Sequence, residues 1–153
     1  MQKDPFSHQI IGLAMETHRS LGPGLVEEFY HQDLVARLTK AGIEHLSKPR
    51  RDLIYRGHVA DTFEADIVFP GKLIPELKVL RGGFDPEHFT QLLAYSKFWR
   101  IRTGMLMDFG KASIIPKRVI YTSKTARLPE IEIPSFVSEP TLAKNLIDIA
   151  SRC

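Results

Sequence analysis

Cysteine is all but missing from this chain. The only one, Cys153, is the last of 153 residues. No disulfide can staple the fold, a disulfide-rich secreted module is excluded, and a reducing cytoplasm is the expected location. Long hydrophobic runs are missing too. None approaches the ~18 apolar residues that a membrane-spanning helix needs, so no membrane partner is expected. The first residues, Met1-Gln2-Lys3-Asp4-Pro5, lack the apolar stretch of a secretory signal. A large charge excess is absent: 21 Lys and Arg against 18 Asp and Glu leave +3, which permits a nucleic-acid partner without demanding one. The six histidines (His8, His18, His31, His45, His58, His88) form no zinc-type spacing, and no H-E-x-x-H occurs. No G-x-S-x-G elbow supports a serine nucleophile, and Gly82-Gly83 is too short to cradle a nucleotide phosphate. What remains is an ordinary globular composition, 43% hydrophobic and 25% charged, in a length that fits one domain over residues 1–153.

Apolar periodicity lays out the elements. Phe6, Ile10, Leu13, Ala14, Thr17 and Leu21 recur at helical spacing and predict a helix over 6–20, stopped at Gly22-Pro23-Gly24. Val26, Phe29, Tyr30, Leu34 and Leu38 predict a second over 25–41, folded back on the first. Strands follow at 52–56, 59–69 and 72–80, separated by turns at Gly57-His58 and Pro70-Gly71. Asp85 is placed to cap a third helix over 86–100, with Pro86 at its first position and Phe89, Leu92, Leu93, Tyr95 and Trp99 facing inward. Strands at 103–109 and 118–122 complete an α/β order of α-α-β-β-β-α-β-β, with the first three strands read as a meander. An irregular arm over 123–139 and a short helix over 141–151 are expected after it.

Chemistry concentrates on one strand. Glu76 and Lys78 are two apart, so they share a face with Ile74, while Leu73, Leu77 and Val79 occupy the other. Asp66 precedes them across the Pro70-Gly71 turn. A two-residue loop would set Asp66 opposite Pro75; a three-residue loop or a bulge sets it opposite Glu76, and the second register is expected. Two adjacent carboxylates repel, and a hard divalent cation would relieve them. The simpler reading is a cross-strand salt bridge from Lys78 to one acid. Pro75 implies a bulge or an unpaired edge, which would either set the register or displace Glu76.

Asp66, nine residues, then Glu76-Leu77-Lys78 resembles the D…E-x-K signature of the PD-(D/E)XK nuclease superfamily. Gly24-Leu25-Val26-Glu27-Glu28-Phe29-Tyr30 is similar to the G-x-x-E-x-x-Y motif of the GxxExxY family, a prokaryotic branch with that core. The stretch from Glu16 to Gly24, Gln91-Leu92-Leu93-Ala94-Tyr95 and Met107-Asp108-Phe109-Gly110 strengthen the likeness, which covers about 6–122. It implies a restriction-endonuclease-like mixed sheet flanked by helices. It also implies Mg²⁺, with Mn²⁺ as substitute, held by Asp66, Glu76 and the carbonyl of Leu77. Lys78 would position water or steady the phosphate, with Glu27 as an additional acid and Gln91 as a helix residue reaching the site. Position 65 is Ala rather than the Pro of the superfamily's name.

Without the likeness, Glu27 reads as an acid stabilised at a helix N-terminus, worth roughly 0.3–1 kcal/mol, and Tyr30 as core with a satisfied hydroxyl. Three basic clusters stand out: Lys48, Arg50, Arg51 and Arg56; Lys97, Arg100 and Arg102; and Lys111, Lys117, Arg118, Lys124 and Arg127. Lys97, Arg100, Lys117 and Arg118 are the expected phosphate contacts. Phe98 and Trp99 could stack on bases, but core is the commoner use of such a pair. The expected function is Mg²⁺-dependent phosphodiester hydrolysis of DNA, or else RNA, by a chain that can act as a homodimer. The alternatives are a catalytically inactive nuclease-like module binding nucleic acid or a protein, and a small-molecule phosphohydrolase.

Overall fold

A computed structural model describes residues 4–121. The expected arm and C-terminal helix lie outside the described residues.

The chain opens with α1 (Pro5–Leu21), capped by the Asp4 side chain on the amide of Phe6. Gly22 ends it at φ 73, a left-handed value that glycine adopts without strain. α2 (Glu27–Lys40) follows and packs back on α1 through Ile10, Ala14, Tyr30, Leu34 and Leu38. The Tyr30 hydroxyl donates to Gly22 O at 2.5 Å and accepts from the Leu25 amide at 3.2 Å, so this buried tyrosine pins the corner between the helices. Two residues expected on the inner stripe of α2 are not there: Val26 is 63% exposed and Phe29 54%. The stripe is narrower than its apolar residues because α2 covers the sheet only along the Tyr30–Leu34–Leu38 line.

Strands come next: β1 (Leu46–Ser47), β2 (Arg50–Tyr55), β3 (His58–Glu64) and β4 (Ile67–Val68). Pairing of β1 with β4 and of β2 with β3 keeps one antiparallel register on both sides of a break. The break falls at Lys48-Pro49 opposite Ala65-Asp66. Pro49 has no N–H to donate, and Lys48 turns to φ 50. Thus the single strand expected over 59–69 is interrupted just where Asp66 lies. The strand pair was expected to turn at Gly57-His58 and turns instead at Arg56-Gly57, both left-handed (φ 52 and 80), a two-residue hairpin loop.

β5 (Ile74–Lys78), α3 (Pro86–Trp99), β6 (Thr103–Asp108) and β7 (Ile115–Ile120) complete the fold. The sheet order is β5-β6-β7, with β5 and β6 parallel and β7 antiparallel. The meander expected for the first three strands is therefore corrected. β5 does not extend the hairpin but joins β6 through the α3 crossover, as a parallel pair requires. Alternate residues of the two strands feed two cores. Leu73, Leu77, Met105 and Met107 pack under α1 and α2, while Ile74 and Leu106 pack under Leu92, Tyr95, Phe98 and Trp99 of α3. Burial on both faces explains the unbroken apolar run of β6. Phe98 and Trp99, only 5% and 3% exposed, belong to this core and have no face to offer a base.

Asp108 ties off the end of the sheet. It accepts from the amides of Leu80 and Gly110 at 3.1 and 2.8 Å, and Lys111 Nζ reaches Asp108 at 2.6 Å and the carbonyls of Leu80 and Gly82 at 2.9 and 2.7 Å. Burial opposes the Asp108 charge, but these donors hold its pKa below the ordinary carboxylate value. A Cβ on Gly110 would come within 2.7 Å of Leu80 O. Gly110→Ala is therefore expected to cost about 2 kcal/mol, read as a lowered urea midpoint at unchanged m-value.

Candidate active site

The interruption at Pro49 leaves the Asp66 amide without a ladder partner, and it finds a side chain instead. Asp66 N–H donates to Glu76 Oε1 at 2.9 Å, and the Leu77 N–H donates to Asp66 Oδ2 at 2.7 Å. Each carboxylate thus binds a backbone amide of the other's segment. The register at the intervening turn is the three-residue one expected: Phe69 bridges Leu73 as an antiparallel pair. The backbone ladder then stops, and the side-chain bonds continue it.

Pro75 does not disturb this arrangement. It has the parity of Leu77, whose N–H points away from β6 toward Asp66, so the missing donor of Pro75 removes no bond from the β5–β6 ladder. β5 is an edge strand in its sheet, where proline is tolerated. A strand residue's N–H and C=O leave on the same side, so the Leu77 carbonyl faces the acids too.

The Asp66 carbonyl is held by two donors, the Lys48 amide at 2.8 Å and His31 Nε2 at 3.1 Å. A carbonyl only accepts, so Nε2 of His31 carries the proton. His31 is a positioning residue that no histidine motif reveals. Its signal is position, one turn after Glu27 on the same face of α2.

Electrostatics confirm that the acids crowd each other. Glu76 is 4% exposed; burial, then the charge of Asp66, pushes its pKa up to about 9, against the backbone bond from Asp66 and the charge of Lys78. Half-buried Glu27, at the start of α2, is raised to about 7 by burial, then by the charge of Asp66 and a hydrogen bond with it, while Lys78 pulls the other way. Glu27 therefore reaches the acid pair from the helix layer. On the α3 side, Lys78 Nζ approaches Gln91 Oε1 at 3.5 Å, and Gln91 Nε2 donates to the Tyr95 hydroxyl at 3.2 Å. Burial, then the charges of Glu76 and Asp66, raises the Tyr95 pKa to about 12. The alternative reading of Lys78, a salt bridge to one acid, is not the contact it makes; its hydrogen-bond partner is Gln91.

The basic residues separate. α3 runs antiparallel to β5, so Lys97 and Arg100 lie at the far end of the helix from Gln91, roughly 13 Å away at Arg100 by helical rise. Lys117 pairs with Leu106, which pairs with Glu76, so it shares the acids' face but stands two strands across. Arg118 points to the other face, 3.9 Å from Asp4. Lys111 is spent on Asp108. The cluster nearest the acids is the first one, since Lys48 and Arg50 flank Pro49 and Lys48 bonds Asp66 directly. His88 is a helix cap: its Nδ1 accepts from the Asp85 amide at 2.9 Å.

The donors fit a hard divalent cation. All are oxygens: two carboxylates and a carbonyl on adjoining segments, and a cation would reverse the rise that burial and the Asp66 charge impose on Glu76. Among the described residues no three His, Cys, Asp or Glu side chains form a metal cage by themselves. Mg²⁺ is commonly held by one or two carboxylates with water and substrate phosphate completing its shell. No helix among the described residues is long and apolar enough to cross a membrane.

Comparison with known proteins bears on the fold and the family. No curated protein matches the chain. The solved structure of SSO0001 is similar in fold: TM-score 0.51 at 18% identity, over 61% of this chain and 50% of that one. This chain thus spans about half the length of that protein. A family model, that of the PD-(D/E)XK nuclease superfamily, matches residues 4–119. With the match extending from the cap of α1 to the last strand and taking in the Asp66, Glu76 and Lys78 positions, the chain belongs to the PD-(D/E)XK nuclease superfamily.

Proposed function

We propose that this chain is a Mg²⁺-dependent nuclease of the GxxExxY branch, forming one domain with its core over 6–122. It hydrolyses phosphodiester bonds of DNA, with RNA the second choice, in the cytoplasm and as a homodimer. The reading rests above all on one observation: Asp66 and Glu76 are locked together through reciprocal bonds to each other's backbone, with Lys78 one residue beyond Leu77 on the same strand.

Asp66, Glu76 and the Leu77 carbonyl would hold the ion, with Mn²⁺ able to replace Mg²⁺. Bound there, the ion supplies Lewis-acid stabilisation of the phosphate and a water of lowered pKa. Lys78, oriented by Gln91, places its ammonium where negative charge develops on the non-bridging oxygens or orients the attacking water. Glu27, which feels the Asp66 charge from the start of α2, is placed to take a proton from the attacking water. Lys97, Arg100, Lys117 and Arg118 are too dispersed to form one phosphate track, and contacts from them would fall at separate points along a long substrate.

Incubation with supercoiled plasmid tests the proposal. Nicked or linear product is expected with Mg²⁺ or Mn²⁺ and none with EDTA, and Asp66→Asn should lower the rate about 10²–10³-fold. Metal-dependent cleavage that persists in Asp66→Asn would remove the assignment.

A further inference from the structure

Lys48 stands at the break between β1 and β2, and its backbone role does not require a lysine. Its amide donates to Asp66 O at 2.8 Å, a bond that any residue except proline can make. Its φ is 50, a left-handed value that few non-glycine residues adopt and that favours Asn or Gly over a long side chain. An uncommon backbone state at the edge of a site points to a use for the side chain.

That side chain crosses to α2. Lys48 Nζ donates to Glu28 Oε1 at 2.5 Å, and Gln32 Nε2 donates to Glu28 Oε2 at 3.0 Å. Glu28 directly follows Glu27, so the ammonium is held at the end of α2 that reaches the acid pair. Its charge is felt there. Burial and the Asp66 charge raise Glu27, and the charges of Lys78 and Lys48 both pull it down. The acids are thus faced by two ammonium groups from opposite layers: Lys78, held by Gln91 of α3, and Lys48, held by Glu28 of α2.

Stability does not account for the second one. The side chains of Lys48 and Glu28 are 41% and 47% exposed, and an exposed ion pair adds little to a fold. A nucleic-acid strand does account for it, because it carries a phosphate at every nucleotide. A cation beside the one at the cleaved bond meets the neighbouring phosphate. Carboxylate and phosphate are alternative partners for one ammonium, and Glu28 holds that place in the free protein.

We propose that Lys48 is a substrate-binding residue that takes the phosphate next to the cleaved one, exchanging Glu28 for it as the strand enters. The inference rests on the nuclease reading and adds to it a second phosphate contact and the counter-ion that keeps it in place.

The test is binding of the full chain, in EDTA and across a salt series, to a short labelled DNA strand, alone and annealed to its complement, with melting temperature as the check on folding. Lys48→Gln keeps the amide that holds Asp66; it is expected to weaken binding about 10-fold and to reduce the salt slope by about 1, while Lys48→Arg stays within about twofold of the wild type. Lys40→Gln removes the same charge at the far end of α2 and should change binding less than about twofold. Glu28→Gln keeps an oxygen for Gln32 but no charge for Lys48. It should tighten binding about threefold, and the gain should vanish in the Lys48→Gln background.

Opposite signs from the two halves of one ion pair are the signature of exchange. Weaker binding in both Lys48→Gln and Glu28→Gln would mark a structural pair and overturn the proposal. So would unchanged binding in Lys48→Gln, a loss in Lys48→Arg, an equal loss in Lys40→Gln, or a Glu28→Gln gain that persists without Lys48. In Mg²⁺-dependent cleavage the Lys48→Gln defect should fall on KM, as expected of a contact made equally before and during reaction. Because binding is read without metal or turnover, the two readings fail separately. Cleavage that needs Asp66 but not Lys48 refutes the Lys48 contact alone; binding that needs Lys48 with no cleavage in any metal refutes the nuclease reading alone.

Discussion

Lys78→Met is expected to lower Mg²⁺-dependent cleavage about 10³-fold while leaving metal binding intact. The ammonium is the cation on the acids' strand, and it lowers the pKa of both Glu27 and Glu76. Removing it subtracts the charge opposite the developing phosphate negative charge, a loss of the size seen when one preorganised donor is deleted from a transition state. It does not empty the metal site, because no ligand is touched and a repelling positive charge has gone. Mg²⁺ affinity by calorimetry should be unchanged or modestly higher, so the defect falls on kcat. Gln91→Ala should act in the same direction but weakly, about 3–10-fold, since Gln91 reaches Lys78 only at 3.5 Å and orients it without carrying charge. Plasmid cleavage under single-turnover conditions distinguishes the two variants. Full activity in Lys78→Met would remove this residue from the chemistry and leave Glu27 as the group to examine.

Much of this site was legible from spacing. Glu76 and Lys78 had to share a face because they are two apart in a strand; spacing left two registers for Asp66, and the Phe69–Leu73 bridge is the expected one, which sets Asp66 toward Glu76. The helices read well because their apolar stripes are long. What spacing concealed was the break in the hairpin. β1 is too short to show a period, and Pro49 interrupts the ladder opposite Ala65, so the residues from 59 to 69 look like one strand. The parallel pairing of β5 with β6 was hidden as well, because proximity in sequence favours the hairpin and only the α3 crossover reveals the alternative. Basic residues were the least legible. Arg118 and Lys117 are neighbours in sequence and therefore face opposite sides of β7, whereas Arg56, in the cluster left unassigned, sits in the turn between β2 and β3. His31 showed only its place on the Glu27 face of α2, and the Asp108–Lys111 clasp showed nothing: each acts on backbone atoms far away in sequence, which no motif encodes.

Glu76→Gln is expected to make the metal-free protein more stable at pH 8 and useless as a metal site. The sign follows from proton counts. In the unfolded chain Glu76 titrates near its ordinary value of 4.5; folded, burial and Asp66 raise it to about 9, and Glu27 is raised to about 7. Between these limits the folded state holds protons that the unfolded state has released, so stability falls as pH rises. The loss begins above the unfolded value and is complete once pH passes the folded one. Glutamine has no proton to lose and keeps an oxygen for the Asp66 amide. At pH 8 its melting temperature should exceed that of the wild type by about 5 °C, and the gap should close toward pH 5. Mg²⁺ reverses the order: it stabilises the wild type by occupying the ionised acids, and the glutamine variant gains little. Binding should release about one proton per ion at pH 7, read as a buffer-dependent calorimetric heat. A pH-independent gap, or an equal Mg²⁺ shift in both proteins, would mean that Glu76 is neither the strained acid nor a ligand. The opposed signs arise from one cause, for a carboxylate buried beside a second one destabilises the fold until a cation binds between them.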